Sequence, residues 1–404
     1  MRYNVLLYGA TGYSGSLIAT EGKERGMSRR DGCNFQMILA ARNGTEVRKV
    51  AEENRMEYRV FGLDDPDEVS RRLDDIDVVI NAAGPFKFTA ECLTKAALKA
   101  GCHYVDINGE VDVYMKLDDL GWKATQCGVA IVSAAGDTAG ASDILLDAAL
   151  RRLLSNKRIN KMDELGAVRI AVSRIMDFSR GSAETAARLL REQVLVIRKG
   201  RGRDHRGQLI EKLVKWHEPV GKLEHVFDFS DRDKCKGRHP QIASAANLID
   251  TLTARSTLER HGLSANAIES YVETGAVGRI AYQLGGMFAS LNILPWVQTL
   301  TRAQLSFLPD GPGPQELARQ RHVVVLEIED LYRTRLIDWR LETPNVYKFT
   351  AQLAVAVARR VVDGKLTGWI TPATALNLPA DALDQKDSDR DAVLRGCTRQ
   401  ERTV

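Results

Sequence analysis

The chain opens with a short, almost unbroken apolar run over residues 3–9, the kind that forms a strand buried on both faces of a parallel sheet. A glycine-punctuated turn follows. Leu17, Ile18 and Ala19, set among polar neighbours, then predict a helix over 13–25, closed near Gly26. The alternation repeats, with strands expected at 36–41, 58–61, 77–80, 104–106 and 129–132 and helices at 46–54, 89–100 and 111–125. Such alternation predicts an α/β fold whose N-terminal part is a Rossmann-type, doubly wound parallel sheet.

Beyond residue 142 the regularity stops. Strand-like runs at 167–173, 225–229, 270–273 and 322–328, with a helix at 183–194, predict a second, mixed α/β (α+β) domain. The expected organisation is a dinucleotide-binding Rossmann domain over 1–142 and a substrate or oligomerisation domain over 143–348. A segment over 349–383, carrying a helix at 349–362, is expected to pack back on the first domain, ahead of a polar, frayed tail over 384–404.

Composition narrows the functional classes. With 44% apolar and 27% charged residues in 404, the chain is neither disordered, collagenous nor a disulfide-stapled mini-fold. A formal charge of +4, from 57 basic and 53 acidic side chains, is too small to imply nucleic-acid binding through bulk electrostatics. The six cysteines (Cys33, Cys92, Cys102, Cys127, Cys235 and Cys397) lack zinc-site spacing, and the seven histidines lack ligand spacing, so no metal is expected. With no room for a charged leader before residue 3, a reducing, cytoplasmic setting is expected. The charge-free stretch 280–301 is long enough to span a membrane, but Gln283, Asn292, Pro295, Gln298 and the Gly285-Gly286 pair interrupt it. It reads as a buried helix pair, a homodimer face or a peripheral membrane contact.

The candidate chemistry starts at the glycine turn, Gly9-Ala-Thr11-Gly12-Tyr13-Ser14-Gly15, which lies between the first strand and the first helix. There a helix N-terminus offers N–H groups and a positive dipole end to a phosphate. Gly9 permits the tight turn, Gly12 lets backbone approach a pyrophosphate, and Gly15 allows close helix–sheet packing, while Thr11 and Ser14 offer hydroxyl donors. At the end of the second strand, where an acid would hold the ribose 2′-hydroxyl of NAD, stand Arg42 and Asn43. A guanidinium there suits a 2′-phosphate, which favours NADP (NADPH) over NAD.

After the fourth strand, Ala82, Ala83, Gly84, Pro85 and Phe86 occupy a carboxyl strand end, where doubly wound sheets place their ligands. They would let a nicotinamide lie against backbone; a plain tight turn is the alternative. The fifth strand ends with Tyr104, Asp106 and Glu110, and the sixth is followed by Asp137. These four, with Ser182 or Thr185 from the second domain, are candidate catalytic groups for proton delivery, against the alternative that they only satisfy buried backbone.

Together these segments resemble the saccharopine dehydrogenase-like oxidoreductases, and within them the trans-acting enoyl reductase branch. The matching stretches are Tyr8 to Gly15, Ala40 to Asn43, Asn81 to Phe86 and Gly101 to Glu110, with weaker likeness at 180–187, 308–314, 347–350 and 368–372. The resemblance implies a Rossmann domain, a second α/β domain and a nicotinamide cofactor in the cleft between them. The segment 133–143 departs from the family pattern in lacking an aromatic residue and a proline, and nothing marks a saccharopine site.

One local basic run, over 198–206, is either a solvated turn or a dock for an acidic acyl carrier protein. Three functions are therefore carried forward. The first is NADP-dependent reduction of a conjugated C=C bond in a small-molecule, carrier-bound or lipidic acyl intermediate. The second is imine or amino-acid (saccharopine-type) oxidoreduction, for which Arg180 is the candidate carboxylate anchor. The third is a non-catalytic NADP-binding sensor or scaffold.

Overall fold

A computed structural model of the chain describes residues 2–28, 34–174, 179, 193–203, 209–219, 221–231, 240–274, 310–379, 381–385 and 392–401. The chain divides into two compact units. The first comprises 1–140, 345–378 and 388–395, and the second 141–344, 379–387 and 396–404.

Unit 1 is built on seven parallel strands: β1 (Tyr3–Tyr8), β2 (Phe35–Ala41), β3 (Glu57–Val60), β4 (Val78–Asn81), β5 (His103–Asp106), β6 (Ala130–Val132) and β15 (Gly368–Trp369). Their spatial order is β3-β2-β1-β4-β5-β6-β15. The order reverses between β1 and β4, which lie side by side with Val5 opposite Val78 and Tyr8 opposite Asn81. The crevice at the carboxyl ends of that pair is where open α/β sheets bind ligands. Leu6, Val79 and Ile131 are wholly buried, as their continuous apolar runs require.

The helices of this unit are α1 (Tyr13–Glu24), α2 (Gly44–Asn54), α3 (Pro66–Arg71), α4 (Phe86–Ala100), α5 (Val111–Asp118) and α6 (Gly121–Gln126). The short α3 escaped the periodicity reading. It is set locally by the Asp65 cap, whose carboxylate accepts from the Asp67 N–H, and by Pro66 in the first turn. The single helix expected over 111–125 is two, interrupted at Asp119 and Leu120; Gly121 opens the second, where a Cβ would stand 2.6 Å from Trp369 Cβ. α10 (Val346–Asp363) packs along α1 and over β4 and β5, with Tyr13 and Tyr347 edge to face at 5.0 Å.

His103 illustrates a packed polar side chain in this sheet. Its Nδ1 accepts the Ala130 N–H at 3.0 Å, and burial pulls its pKa below the ordinary value against a weaker opposing pull from Asp77. Between the folded pKa and about 6.5, the unfolded chain holds more protons than the folded one. Stability is therefore full above about pH 6.5 and falls as the pH drops below it. Urea midpoints should fall between pH 7.5 and 5.5 more steeply for the wild type than for His103→Gln; equal slopes would contradict this.

Unit 2 holds a nine-stranded mixed sheet ordered β10-β11-β12-β7-β13-β14-β16, with β8 and β9 attached through β12. Its strands are β7 (Glu164–Val172), β8 (Val194–Arg203), β9 (Leu209–Glu218), β10 (Glu224–Asp228), β11 (Pro240–Ala245), β12 (Ser264–Glu273), β13 (His322–Glu329), β14 (Arg335–Thr343) and β16 (Thr398–Glu401). The remaining α-helices among the described residues are α7 (Asp137–Ser155), in which the division between the units falls, α8 (Asp250–Arg260), α9 (Pro314–Arg319) and α11 (Pro372–Leu376), the last in unit 1.

Two expectations need correction here. Residues 183–192 of the expected helix lie outside the described residues, but its last residue, Val194, opens β8, and the basic run enters that strand, which forms a hairpin with β9. Arg198 pairs with Glu269 and Lys199 with Glu164, both at 3.0 Å. The tail is not frayed throughout either, since β16 adds to the sheet edge beside β14. Its sequence, Thr-Arg-Gln-Glu, carries no apolar alternation because other contacts hold it: the Arg399 guanidinium stacks on Trp339 at 4.0 Å and pairs with Asp384.

Candidate dinucleotide site

The turn after β1 and the turn after β4 touch backbone to backbone. Gly9 has φ +87°, and a Cβ on it would lie 2.7 Å from the Ala83 nitrogen and 2.8 Å from the Ala82 carbonyl carbon. A Cβ on Gly15 would come within 2.1 Å of the Gly9 oxygen, so α1 can start this close to the turn only with glycine there. Gly12 differs from both. Its Cβ would meet nothing nearer than the Gly9 oxygen at 3.4 Å, ordinary contact, and the residue itself is exposed. Gly12 caps α1 without a side chain, and the first helical bond is Ser16 N–H to its carbonyl at 2.8 Å. The N–H groups of the first turn thus point out of the helix end beside an open cradle that a side chain would fill, the geometry that suits a pyrophosphate. Thr11 is exposed and Ser14 half-buried at the same turn.

Arg42 follows β2, is exposed, and makes no ion pair among the described residues. Its neighbour Asn43 is committed elsewhere, the side-chain oxygen accepting the Thr45 and Glu46 N–H groups at 3.1 and 3.3 Å to cap α2. Asn43 therefore holds the helix that follows, while the Arg42 side chain is exposed beside it. Nearby Tyr8 donates to the Phe61 carbonyl, and burial pushes its phenol up to about 12.

The 82–86 turn is held from below by a side chain that sequence reasoning passed over. Asn81, wholly buried at the end of β4, accepts the Ala83 N–H at 3.0 Å and donates to Tyr104 Oη at 3.1 Å and Thr89 Oγ1 at 3.2 Å. Thr89 Oγ1 in turn donates to the Ala83 carbonyl at 2.6 Å. An amide within an otherwise apolar strand was the available signal. The Gly84–Pro85 bond is cis. Phe86, expected in the turn, is the first residue of α4, and its N–H donates to Glu110 Oε1 at 3.0 Å.

The structure brings Tyr104 and Asp106 together, but away from solvent. Tyr104 Oη donates to Asp106 Oδ2 at 2.9 Å, while Asp106 Oδ1 accepts Ser133 Oγ at 2.8 Å, the Ala134 N–H at 2.9 Å and the Asn108 N–H at 3.0 Å. Burial pushes the Tyr104 phenol well above its ordinary value, and pushes the Asp106 carboxyl up against those donors. Asp106 is 0% exposed, so this pair ties β5 to the turn after β6 and does not face a ligand. Glu110 and Asp137 are also buried; Asp137 opens α7, its N–H donating to Thr350 Oγ1 at 2.9 Å. Arg180, Ser182 and Thr185 lie outside the described residues, as does the 280–301 stretch. Among the described residues no acid, histidine and cysteine cluster could hold a metal, and no helix is long and apolar enough to cross a membrane.

Comparison with known proteins agrees with this geometry. Residues 5–132 match the family described as saccharopine dehydrogenase NADP binding domain. A lipid droplet localized protein of Caenorhabditis elegans is 31% identical over 151 residues, 33% of each chain. A trans-acting enoyl reductase of Mycobacterium ulcerans is 28% identical over 156 residues, 37% of this chain and 36% of that one. The matches thus span about a third of the length of the curated relatives. Over the whole chain, the fold is similar to that of saccharopine dehydrogenase (L-Glu forming) from Saccharomyces cerevisiae, with a TM-score of 0.60, 13% identity and full coverage of both chains.

Proposed function

Because residues 5–132 match the saccharopine dehydrogenase NADP binding domain family, we propose that the protein is an NADP-dependent oxidoreductase that reduces a conjugated C=C bond in an acyl or lipidic intermediate. The observation that carries the cofactor assignment is the open cradle at Gly12 beside the backbone contact of the β1 and β4 turns. In this reading α1's first turn binds the pyrophosphate, Arg42 takes the 2′-phosphate, and the Ala82–Pro85 backbone supports the nicotinamide half. The cofactor, when bound, supplies a hydride. The likeness to an enoyl reductase supports the choice of C=C chemistry. So does the apolar character of the β4 turn, where Pro85 is exposed and Phe88 stands 70% exposed one helical step on. The free thiols Cys92, Cys102, Cys127 and Cys397 suit a cytoplasmic setting.

Glu110 is buried like Asp106, and its Oε1 accepts the Phe86 N–H of the 82–86 turn, so we assign it a positioning role at that turn. Glu110→Gln keeps an acceptor for that N–H and should retain turnover, whereas Glu110→Ala removes it and should lower stability by about 1–3 kcal/mol and weaken NADPH binding with it. Lost turnover in Glu110→Gln with NADPH affinity unchanged would make Glu110 a catalytic residue instead.

Arg42→Ala should weaken NADPH binding by about ten- to a hundredfold, the cost of a charge-assisted phosphate contact, and NADH binding by less than about twofold. Equal losses in a fluorescence titration would exclude the 2′-phosphate role. The reaction itself is tested with the full-length protein, NADPH, and panels of enoyl thioesters and cyclic imines, following absorbance at the reduced nicotinamide band. Consumption of an enoyl thioester is the expected result. Turnover of an imine alone would establish the saccharopine-type alternative, and tight NADPH binding without turnover of either would favour a sensor or scaffold.

A further inference from the structure

At one end of the unit 2 sheet, three large apolar side chains stand in water. Met162, Leu331 and Tyr332 are 87%, 51% and 89% exposed. They come from two loops on the same rim: 156–163 leads from α7 into β7, and 330–334 joins β13 to β14. The loops are neighbours, because Glu329 faces Ala167 in the ladder and Arg158 Nη1 reaches the Leu336 carbonyl at 3.4 Å.

Three residues of these loops sit in left-handed backbone. Met162 has φ +75°, Arg333 +65° and Lys157 +55°, a left-handed region that costs residues with a Cβ and favours glycine or asparagine. The 330–334 turn is pinned from inside, Asp330 Oδ1 accepting the N–H groups of Tyr332 and Thr334 at 2.9 and 2.8 Å. Its apex therefore presents Tyr332 and Arg333 in one fixed arrangement.

Cations outnumber acids on this rim. Lys157, Arg158, Lys161 and Arg333 are exposed and make no ion pair among the described residues. The two acids between them hold backbone of their own loops, Asp330 through the Tyr332 and Thr334 N–H groups and Asp163 through the Asn160 N–H at 2.7 Å.

We propose that this rim docks on the surface of an anionic phospholipid bilayer, with Met162, Leu331 and Tyr332 entering the headgroup layer and the unpaired cations meeting lipid phosphates. Protein interfaces of ordinary size need a broad, closely fitting patch. Here Met162 and the Leu331–Tyr332 pair project from two loops in which cations outnumber acids, which suits insertion into a deformable, negatively charged surface. The inference stands independently of the nucleotide site and of the 280–301 stretch.

The test is co-sedimentation of the full-length protein with vesicles of phosphatidylcholine, alone or with about 30% phosphatidylserine. The protein should pellet with the anionic vesicles, less so as salt rises, and little with the neutral ones. Combined Met162→Asp, Leu331→Asp and Tyr332→Asp should reduce binding by at least about tenfold, as should combined Lys157→Glu, Lys161→Glu and Arg333→Glu. Both variants change exposed loops, and circular dichroism will verify their folds. Wild-type protein left in the supernatant, or an apolar-tip variant that pellets like wild type, would overturn the proposal. Retention on a polyglutamate resin without vesicle binding would also overturn it, assigning the rim to an acidic protein.

Discussion

Gly12→Val should abolish dinucleotide binding, by a hundredfold or more, in a protein that remains folded. The three glycines of the turn separate cleanly on geometry. A side chain at Gly12 projects into open space, meeting only the Gly9 oxygen at 3.4 Å. The structural cost is then mainly the poorer helix cap, about 1 kcal/mol. The functional cost is much larger, since the valine occupies the space where backbone N–H groups would approach a pyrophosphate. Gly15→Ala is the contrasting case. Its Cβ would stand 2.1 Å from the Gly9 oxygen, so α1 and the turn must separate, an overpacking cost of about 1–3 kcal/mol or more. Thermal melting and NADPH titration of both variants check the assignment. Retained NADPH binding in Gly12→Val would mean that this turn is not the phosphate site.

The second large effect is expected at Asp106. Asp106→Ala leaves Tyr104 Oη, Ser133 Oγ and the N–H groups of Asn108 and Ala134 without their acceptor in a site closed to water. It also releases Ala134, held at φ +65° with its N–H on that carboxylate. A loss of about 3–5 kcal/mol follows from removing one member of a fully buried, hydrogen-bonded set. Asp106→Asn keeps the shape and one acceptor oxygen but turns an amide N–H₂ toward a partner. Tyr104 Oη already accepts from Asn81, so this variant should fall between the wild type and Asp106→Ala in stability. Urea denaturation measures both. A positioning role for Asp106 requires activity to track stability across the pair. Asp106→Asn with wild-type stability and no turnover would instead make it a catalytic residue.

Much of this protein was legible along the chain because the physics involved is local. A strand buried on both faces needs an unbroken apolar run, and those of β1, β4 and β6 are written in consecutive residues. A phosphate-binding turn needs glycines at set offsets between strand and helix, and Arg42 in place of an acid is a single-residue feature. Only tertiary structure decided the rest. Tyr104 and Asp106 read as candidate catalysts because strand alternation cannot reveal that Ser133, Asn108 and Asn81 close over them. The glycine at the start of α6 answers to Trp369, remote in sequence, whose Cβ would stand 2.6 Å from any Cβ there. The β16 strand was invisible as a pattern because its stability comes from stacking on Trp339 and pairing with Asp384, long-range contacts that replace apolar alternation.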